Sequence, residues 1–399
     1  MKKVDVIYGG WLNAPNGASS VIKLLYNSRS LFETNGVSCN FVTNDTYWET
    51  PKCRSNDMVL QNKGVKSCIK RVLKALISHS PTLESAISIY LGFMKSSKKI
   101  AKRYVEDENP QDKTPLFFHD IFTCYYYLKH TSANRPILLT LHNNGETFKM
   151  LSLYFPCIND SWVMRLLNRV EHYTINKVTK ICFVANNPCK LFLRNHPEIS
   201  PDRVHFVYNG LPHIDSCNDV VKNDNLYEIC SVGSITSRKG QDIIIKSLSL
   251  MKPCERDKIH ITFVGDGDKR HRLEEECEKL GFNSIVSFVG NQRNVDEYLM
   301  KSDIFLLMSR DEGFPMAILE AERIGLPIIS TNVAGIPEMI KHKETGFVIN
   351  PNSEELADIL KEIDKYDWKG MGEKSQSLFN SRFTLGNMID GYSSILKAL

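Results

Sequence analysis

A chain of 399 residues with 42% hydrophobic and 24% charged content is long enough for two globular cores, and no stretch reaches the roughly 18 apolar residues of a membrane-spanning helix. Eleven cysteines scattered singly, with no Cys-x-x-Cys pair or zinc spacing, argue for reduced thiols and against a metal centre; the opening MKKVDVIYGG carries no signal-peptide pattern, so a cytoplasmic protein is expected. The net charge of +4 is unevenly spread: between Lys63 and Arg103 ten basic residues stand against Glu84 alone, a local excess of +9.

Short β-rich runs at 4–8, 137–141, 181–184, 229–232, 259–264, 304–307 and 328–330 alternate with helix-period segments, the pattern of βα units on parallel sheets. The loop after the first run, from Gly9 and Gly10 through Asn16 to Gly17, lets backbone approach a ligand ahead of a helix amino terminus, though a purely structural Gly-rich turn reads the same way. Val65, Cys68, Ile69, Val72, Leu73, Leu76 and Ile77 recur at helical spacing opposite Lys63, Lys66, Lys70, Arg71 and Lys74, a basic amphipathic helix. A second pattern with Ile87, Tyr90, Leu91 and Met94 leads into Lys95, Lys98, Lys99, Lys102 and Arg103. At about 1 kcal/mol per basic residue, anionic lipid would hold such a surface; a helix packed on its own sheet is the alternative. Nucleic acid is not expected, because only Tyr90 and Phe93 interleave with these lysines as stacking residues.

His119, Asp120, His142 and Asn143 follow strand runs, where open α/β sheets place their ligands. The polar stretch 209–227 reads as a linker, after which the parallel-sheet pattern restarts. In the turn from Gly233 to Gly240, Lys239 opens a helical pattern through Ile243 and Leu248; a cation there is disfavoured by about 0.3–1 kcal/mol unless an anion joins it. Gly265-Asp266-Gly267 lacks the third glycine of a dinucleotide fingerprint, position 270 being Arg, so a dehydrogenase is not supported. After the strand 304–307, a loop leads to Pro315 at the first helical position, and Gly325 ends that helix. Glu312 and Glu320 then flank the helix start beside the free amides of Phe314, Met316 and Ala317, placed to accept hydroxyls from two parts of one ligand; two solvated acids are the plainer reading.

"EGFPMAILE" with "AERIGLPIISTNVAGIPEMI" behind it, "SVGSITSRKGQDIIIKSL", and the looser "PNGASSVIKLL", "LTLH" and "VHFVYNG" together resemble the family-4 glycosyltransferases of GT-B fold over nearly the whole chain. The resemblance implies an α/β protein of two Rossmann-like parallel-sheet domains facing a central cleft. Residues 1–212 would be the acceptor domain, with 380–399 as a helix crossing back, and 225–379 the donor domain. It implies a metal-independent, cofactor-free retaining transferase whose departing diphosphate takes the acceptor proton. Lys239 would counter the diphosphate with Arg238 and Ser234 near it. Glu320 would hold the ribose and Asn291 the base. Glu312 with Gly313, Phe314, Pro315 and Met316 would hold the sugar. Gly17 and Asn16 would close over the phosphates, His142 would stand at the reacting face, and His119, Asp120 and Asn143 would meet the acceptor. Two departures stand out: Ser234 where the family usually has Arg, and Pro315 where Gly is common. The expected activity is transfer from a nucleotide sugar, UDP favoured, to a lipid-linked or surface glycan of the O-antigen or capsule type, at the inner face of the cell membrane. Another GT-B enzyme such as an epimerase or hydrolase, or a silent nucleotide-sugar-binding scaffold, is the alternative.

Overall fold

The structure is a computed structural model and describes residues 1–14, 17–47, 80–214 and 226–399. Strands β1 (Lys2–Ile7), β2 (Val37–Val42), β3 (Leu116–Phe118), β4 (Ile137–Leu141), β5 (Lys180–Phe183) and β6 (Val204–Phe206) form one sheet in the order β2-β1-β3-β4-β5-β6. Strands β7 (Tyr227–Val232), β8 (Ile259–Val264), β9 (Val286–Gly290), β10 (Ile304–Leu307), β11 (Ile328–Thr331) and β12 (Gly346–Ile349) form a second, in the order β12-β11-β10-β7-β8-β9. All recorded strand pairs in both sheets are parallel. Helices cover both faces, which is why the central strands ILLTL and IFLL are buried at every residue and read as apolar runs broken only by Thr140.

Each sheet reverses its winding once. In the first the reversal lies between β1 and β3, in the second between β7 and β10, and the crevice that opens at such a point is where doubly wound sheets take ligands. The loops that carry Gly9, His119, Lys239 and Glu312 therefore all leave strands at these two positions.

Phe118, Leu139 and Phe183 pack with Tyr127 and Phe192 on one face of the first sheet. Its other face packs Phe117, Leu138 and Cys182 against Met388, Ile389 and Tyr392 of the helix Leu385–Lys397. That helix follows Trp368–Arg382 of the second domain and is capped by Thr384, whose Oγ1 accepts from Asn387 N at 3.2 Å, so the chain ends by covering the first domain's sheet. Burying each of its large apolar side chains stabilises that face by about 1.5–3 kcal/mol. In the second domain Ile261, Phe263 and Ile329 pack with Trp368, while Cys230, Phe305 and Ile328 pack with Ile318 and Phe379.

Two predicted boundaries shift. The helix after the 233–240 turn is Gln241–Ser249, so Lys239 stands before it; Gly240 takes φ 72°, and a Cβ there would lie 1.9 Å from Met308 O. Pro315 caps the helix Met316–Ile324 instead of opening it. Asn16, the basic helix around 63–77 and the linker core 215–225 lie outside the described residues. The second basic pattern is helical over Pro81–Ile89 and Lys95–Glu106, joined by a π turn at Tyr90–Met94. Leu83, Tyr90, Leu91 and Phe93 are exposed on it, and Lys95, Lys99, Lys102 and Arg103 are exposed as well.

Candidate active site

On the first domain's rim the β1 loop is tied down by its neighbours. Gly9 N donates to Asp120 Oδ2 at 3.0 Å, Asn44 Nδ2 donates to Gly9 O at 2.7 Å, and a Cβ on Gly9 would lie 2.5 Å from Ser97 Oγ. Asp120 caps the helix Ile121–His130 through Thr123 N at 2.7 Å. Burial pushes its carboxyl up, and the amides of Gly9 and Thr123 pull against that. Asp120, expected to meet the acceptor, is thus bonded to two amides as a helix cap.

His119, expected at the acceptor as well, lies buried. It is 2% exposed, its ring 4.2 Å from that of Phe117, and its Nδ1 lies 3.2 Å from His142 Nε2. Strand alternation carries it to the side of Phe117, behind His142. Burial holds both imidazoles neutral: His142 is lowered to about 4, and His119 falls well below the usual value, with His142 adding to the effect. Asn143 Oδ1 accepts Gly145 N at 2.9 Å, closing a turn whose backbone abuts Gly313; a Cβ on Gly313 would lie 3.2 Å from Asn143 O. Gly17 begins the helix Gly17–Asn27 and is exposed, with nothing within 4 Å of a Cβ built on it.

Across the cleft, Glu312 is buried at 6% exposure in a nest of donors. Lys239 Nζ lies 2.6 Å from its Oε1, Ser309 Oγ donates to the same oxygen at 2.8 Å, and an Arg238 guanidinium nitrogen lies 3.3 Å from Oε2. Burial raises the Glu312 carboxyl, but Lys239 and Arg238 outweigh it and hold the group below the usual range. Lys239 and Glu312, 73 positions apart and expected to meet the diphosphate and the sugar separately, are thus an ion pair here. Arg238 also donates to Asp311 O at 2.8 Å, and Arg310 makes a two-pronged contact with Asp242 at 2.8 and 2.7 Å, which fixes the 309–313 loop on the 233–240 turn. Arg238 therefore converges with Lys239 on one point, while Ser234 is exposed. Thr236 Oγ1, Arg238 Nε and Gln241 Oε1 are buried without a partner among the described residues, an unusual concentration in the turn and the helix start after it.

Glu320 is half-buried on the helix Met316–Ile324; burial raises its carboxyl to about 7, with Arg323 and Lys239 pulling it down and Asp296 pushing it up. Among the described residues no backbone acceptor takes the amides of Phe314, Met316 or Ala317, as a first helical turn requires. Gly233, Gly265 and Gly290 end β7, β8 and β9 with φ 147°, 144° and 71°; a Cβ on Gly265 would lie 2.0 Å from Gly233 O. Asn291 follows, exposed.

Four residues that local sequence patterns did not mark join the domains. Asn144 Nδ2 donates across the cleft to Asp311 Oδ1 at 2.7 Å; burial raises the Asp311 carboxyl to about 6, against the pull of Arg238. Glu338 accepts the amides of Asn186 and Asn187 at 2.9 and 2.6 Å, so an acid of the second domain caps the first domain's helix Asn186–Asn195. Tyr208 donates to Glu338 at 2.8 Å and stacks on Phe314, ring centres 5.2 Å apart.

Two doubly wound parallel sheets with their reversal points meeting across one cleft are the GT-B architecture of glycosyltransferases. Residues 216–369 match the family described as glycosyl transferases group 1, which accounts for most of the second domain. The chain is 26% identical over 256 residues to an uncharacterized glycosyltransferase of Methanocaldococcus jannaschii, covering 59% of this chain and 63% of that protein. It is 27% identical over 204 residues to the O-antigen biosynthesis glycosyltransferase WclY of Escherichia coli, covering 49% and 56%. The chain thus spans less than two thirds of either relative. Anabaena HepE in complex with UDP and glucose shares the fold over the full length of both chains, with TM-score 0.67 at 16% identity.

Proposed function

We propose that the protein is a retaining glycosyltransferase that moves a sugar from a UDP-sugar to a lipid-linked glycan during assembly of a surface polysaccharide. One observation carries this reading: the Glu312–Lys239–Arg238 cluster at the β7/β10 reversal, within the residues that match the group 1 family. Lys239 and Arg238 turn from Glu312 to the donor's diphosphate. A unit charge about 4 Å away at an effective dielectric near 20 contributes about 4 kcal/mol, against at most about 2 kcal/mol from a helix end, so the side chains dominate. Arg238 takes the part that Arg at position 234 has in the resembling family. Glu312, Gly313 and the amides of Phe314 and Met316 hold the transferred sugar, with Pro315 stiffening that turn; Glu320 takes the ribose hydroxyls, Asn291 lies by the base, and Gly17 stands opposite, by the phosphates. His142 faces the sugar across the cleft. The leaving diphosphate removes the acceptor's proton on the face it vacates. Fixed cations and amides supply the electrostatic stabilisation, so no divalent ion is required.

The names of the relatives support the polysaccharide, and the UDP in the HepE complex supports the base. Exposed Tyr90, Leu91 and Phe93 beside exposed lysines, with Trp162 and Leu166 also exposed on the helix Trp162–Lys177, support peripheral contact with the inner face of the membrane, where a lipid-linked acceptor is presented. No described helix is long and apolar enough to cross a membrane.

The test is a thermal-shift screen against UDP, GDP, ADP and their common sugars in chelator, with Glu320→Ala as control, followed by transfer assays on membrane extracts. The expected result is a shift with a UDP-sugar, lost in the variant, and a product whose anomeric configuration by NMR matches the donor. An inverted product, or a strict need for a divalent ion, overturns the mechanism.

A further inference from the structure

The cleft-facing histidine has a partner behind it, and the pair has only two neutral arrangements. His142 is half-buried with Nε2 turned inward, 3.2 Å from Nδ1 of the buried His119, which leaves His142 Nδ1 for the cleft. At that distance one nitrogen donates and the other accepts. If His142 Nε2 donates, His119 must carry its own proton on Nε2, an atom buried without a partner among the described residues. If His119 Nδ1 donates, the unmatched atom is a bare lone pair. Buried N–H groups without acceptors are rarer in proteins than under-used acceptors, and a stranded donor costs about 1–3 kcal/mol. The ring of His119 is also held in place, tilted against Phe117 and edge-on to Tyr392 at 6.2 Å, so it cannot swing to find another acceptor without disturbing that packing.

We propose that His119 is a positioning residue that sets the tautomer of His142, donating from Nδ1 to His142 Nε2 so that His142 presents Nδ1–H to the cleft as a hydrogen-bond donor. In this arrangement His142 offers a proton to an oxygen of the bound sugar and has no lone pair with which to remove one. The proposal deepens the transferase reading and rests on it for the sugar, whereas the tautomer is a property of the free protein.

Nitrogen-detected NMR of the imidazoles in wild-type protein reads the tautomer directly at pH 7. The expected pattern for His142 is a protonated Nδ1 and a bare Nε2; a protonated Nε2 overturns the proposal whether or not the protein transfers sugar. His119→Phe keeps a ring in the aromatic cluster but cannot donate, and should give a mixed His142 tautomer. His119→Asn places an amide nitrogen where Nδ1 stood and should restore the wild-type pattern. With the donor selected by the screen, His119→Phe should lower kcat up to about tenfold, the worth of one neutral hydrogen bond, with donor KM within about twofold, and His119→Asn should recover most of it. Equal losses in Phe and Asn variants with an unchanged His142 spectrum would reduce His119 to packing. Failure of the transfer assay together with the expected spectra would strike the transferase reading and leave the tautomer assignment standing.

Discussion

Glu320 should give up a proton when the donor binds. Burial raises its carboxyl to about 7 in the free protein, so at pH 7 about half the molecules carry the proton, and at pH 6 about nine-tenths do. Ribose hydroxyls that donate to this group stabilise its anion, and restoring an ordinary value near 4.5 would empty the site at both pH values. Binding at pH 7 should therefore release about half a proton, and affinity should be about tenfold weaker at pH 6 than at pH 8, a difference of about 1.4 kcal/mol. Titration calorimetry in buffers of different ionisation enthalpy measures the release. The ligand should be an intact UDP-sugar, because its diphosphate diester has no group titrating in this range. Glu320→Gln should bind with an enthalpy independent of buffer. A wild-type enthalpy equally independent of buffer, with one affinity at pH 6 and 8, would refute the placement of the ribose at Glu320.

The same group makes a stability prediction. A carboxyl raised in the folded state stabilises fully below its unfolded value and loses that contribution as pH rises through about 7, so wild type should lose about 2–3 kcal/mol relative to Glu320→Gln between pH 5 and 8 in urea unfolding. Lys239→Ala should lower turnover by as much as about a thousandfold. It also leaves Glu312 buried with Arg238 as its remaining cation, so stability should fall by up to about 3–5 kcal/mol and return in the double variant with Glu312→Gln while turnover does not; near-normal turnover in Lys239→Ala sinks the diphosphate assignment. Glu338→Ala removes the acceptor of two helix-end amides and should cost about 0.5–2 kcal/mol. Small-angle scattering should then show a wider spread of domain separations at unchanged circular dichroism, and an unchanged scattering profile would argue that other contacts set the domain angle.

The sheets were legible because buried parallel strands have no polar face to write into the sequence: IFLL announces itself as an unbroken run, and ILLTL as one interrupted only by Thr140. Position after a strand marks His119, Asp120, Lys239 and Glu312 as rim residues, but it says where a residue sits and not which way it faces. Alternation along the strand would have placed His119 with Phe117 on the covered side, and an Asp three residues before Thr123 at a helix start is a cap by its spacing alone. The pairing of Lys239 with Glu312 was illegible, because the two charges sit on different loops 73 positions apart and no local spacing links them. Nothing local marks Glu338 either: the amides it caps lie 152 and 151 residues away, in the other domain.

The helix Leu385–Lys397 makes the first domain a composite of distant chain segments. Phe117, Leu138 and Cys182 lie under Met388, Ile389 and Tyr392, so a fragment ending before the second sheet would carry a bare apolar face. Such a fragment is half of a split protein and calls for a peptide of the last helix in trans to become soluble. For the same reason a chimera that exchanges only the donor half between relatives must keep this helix with the acceptor half, making two crossovers where the sequence map suggests one.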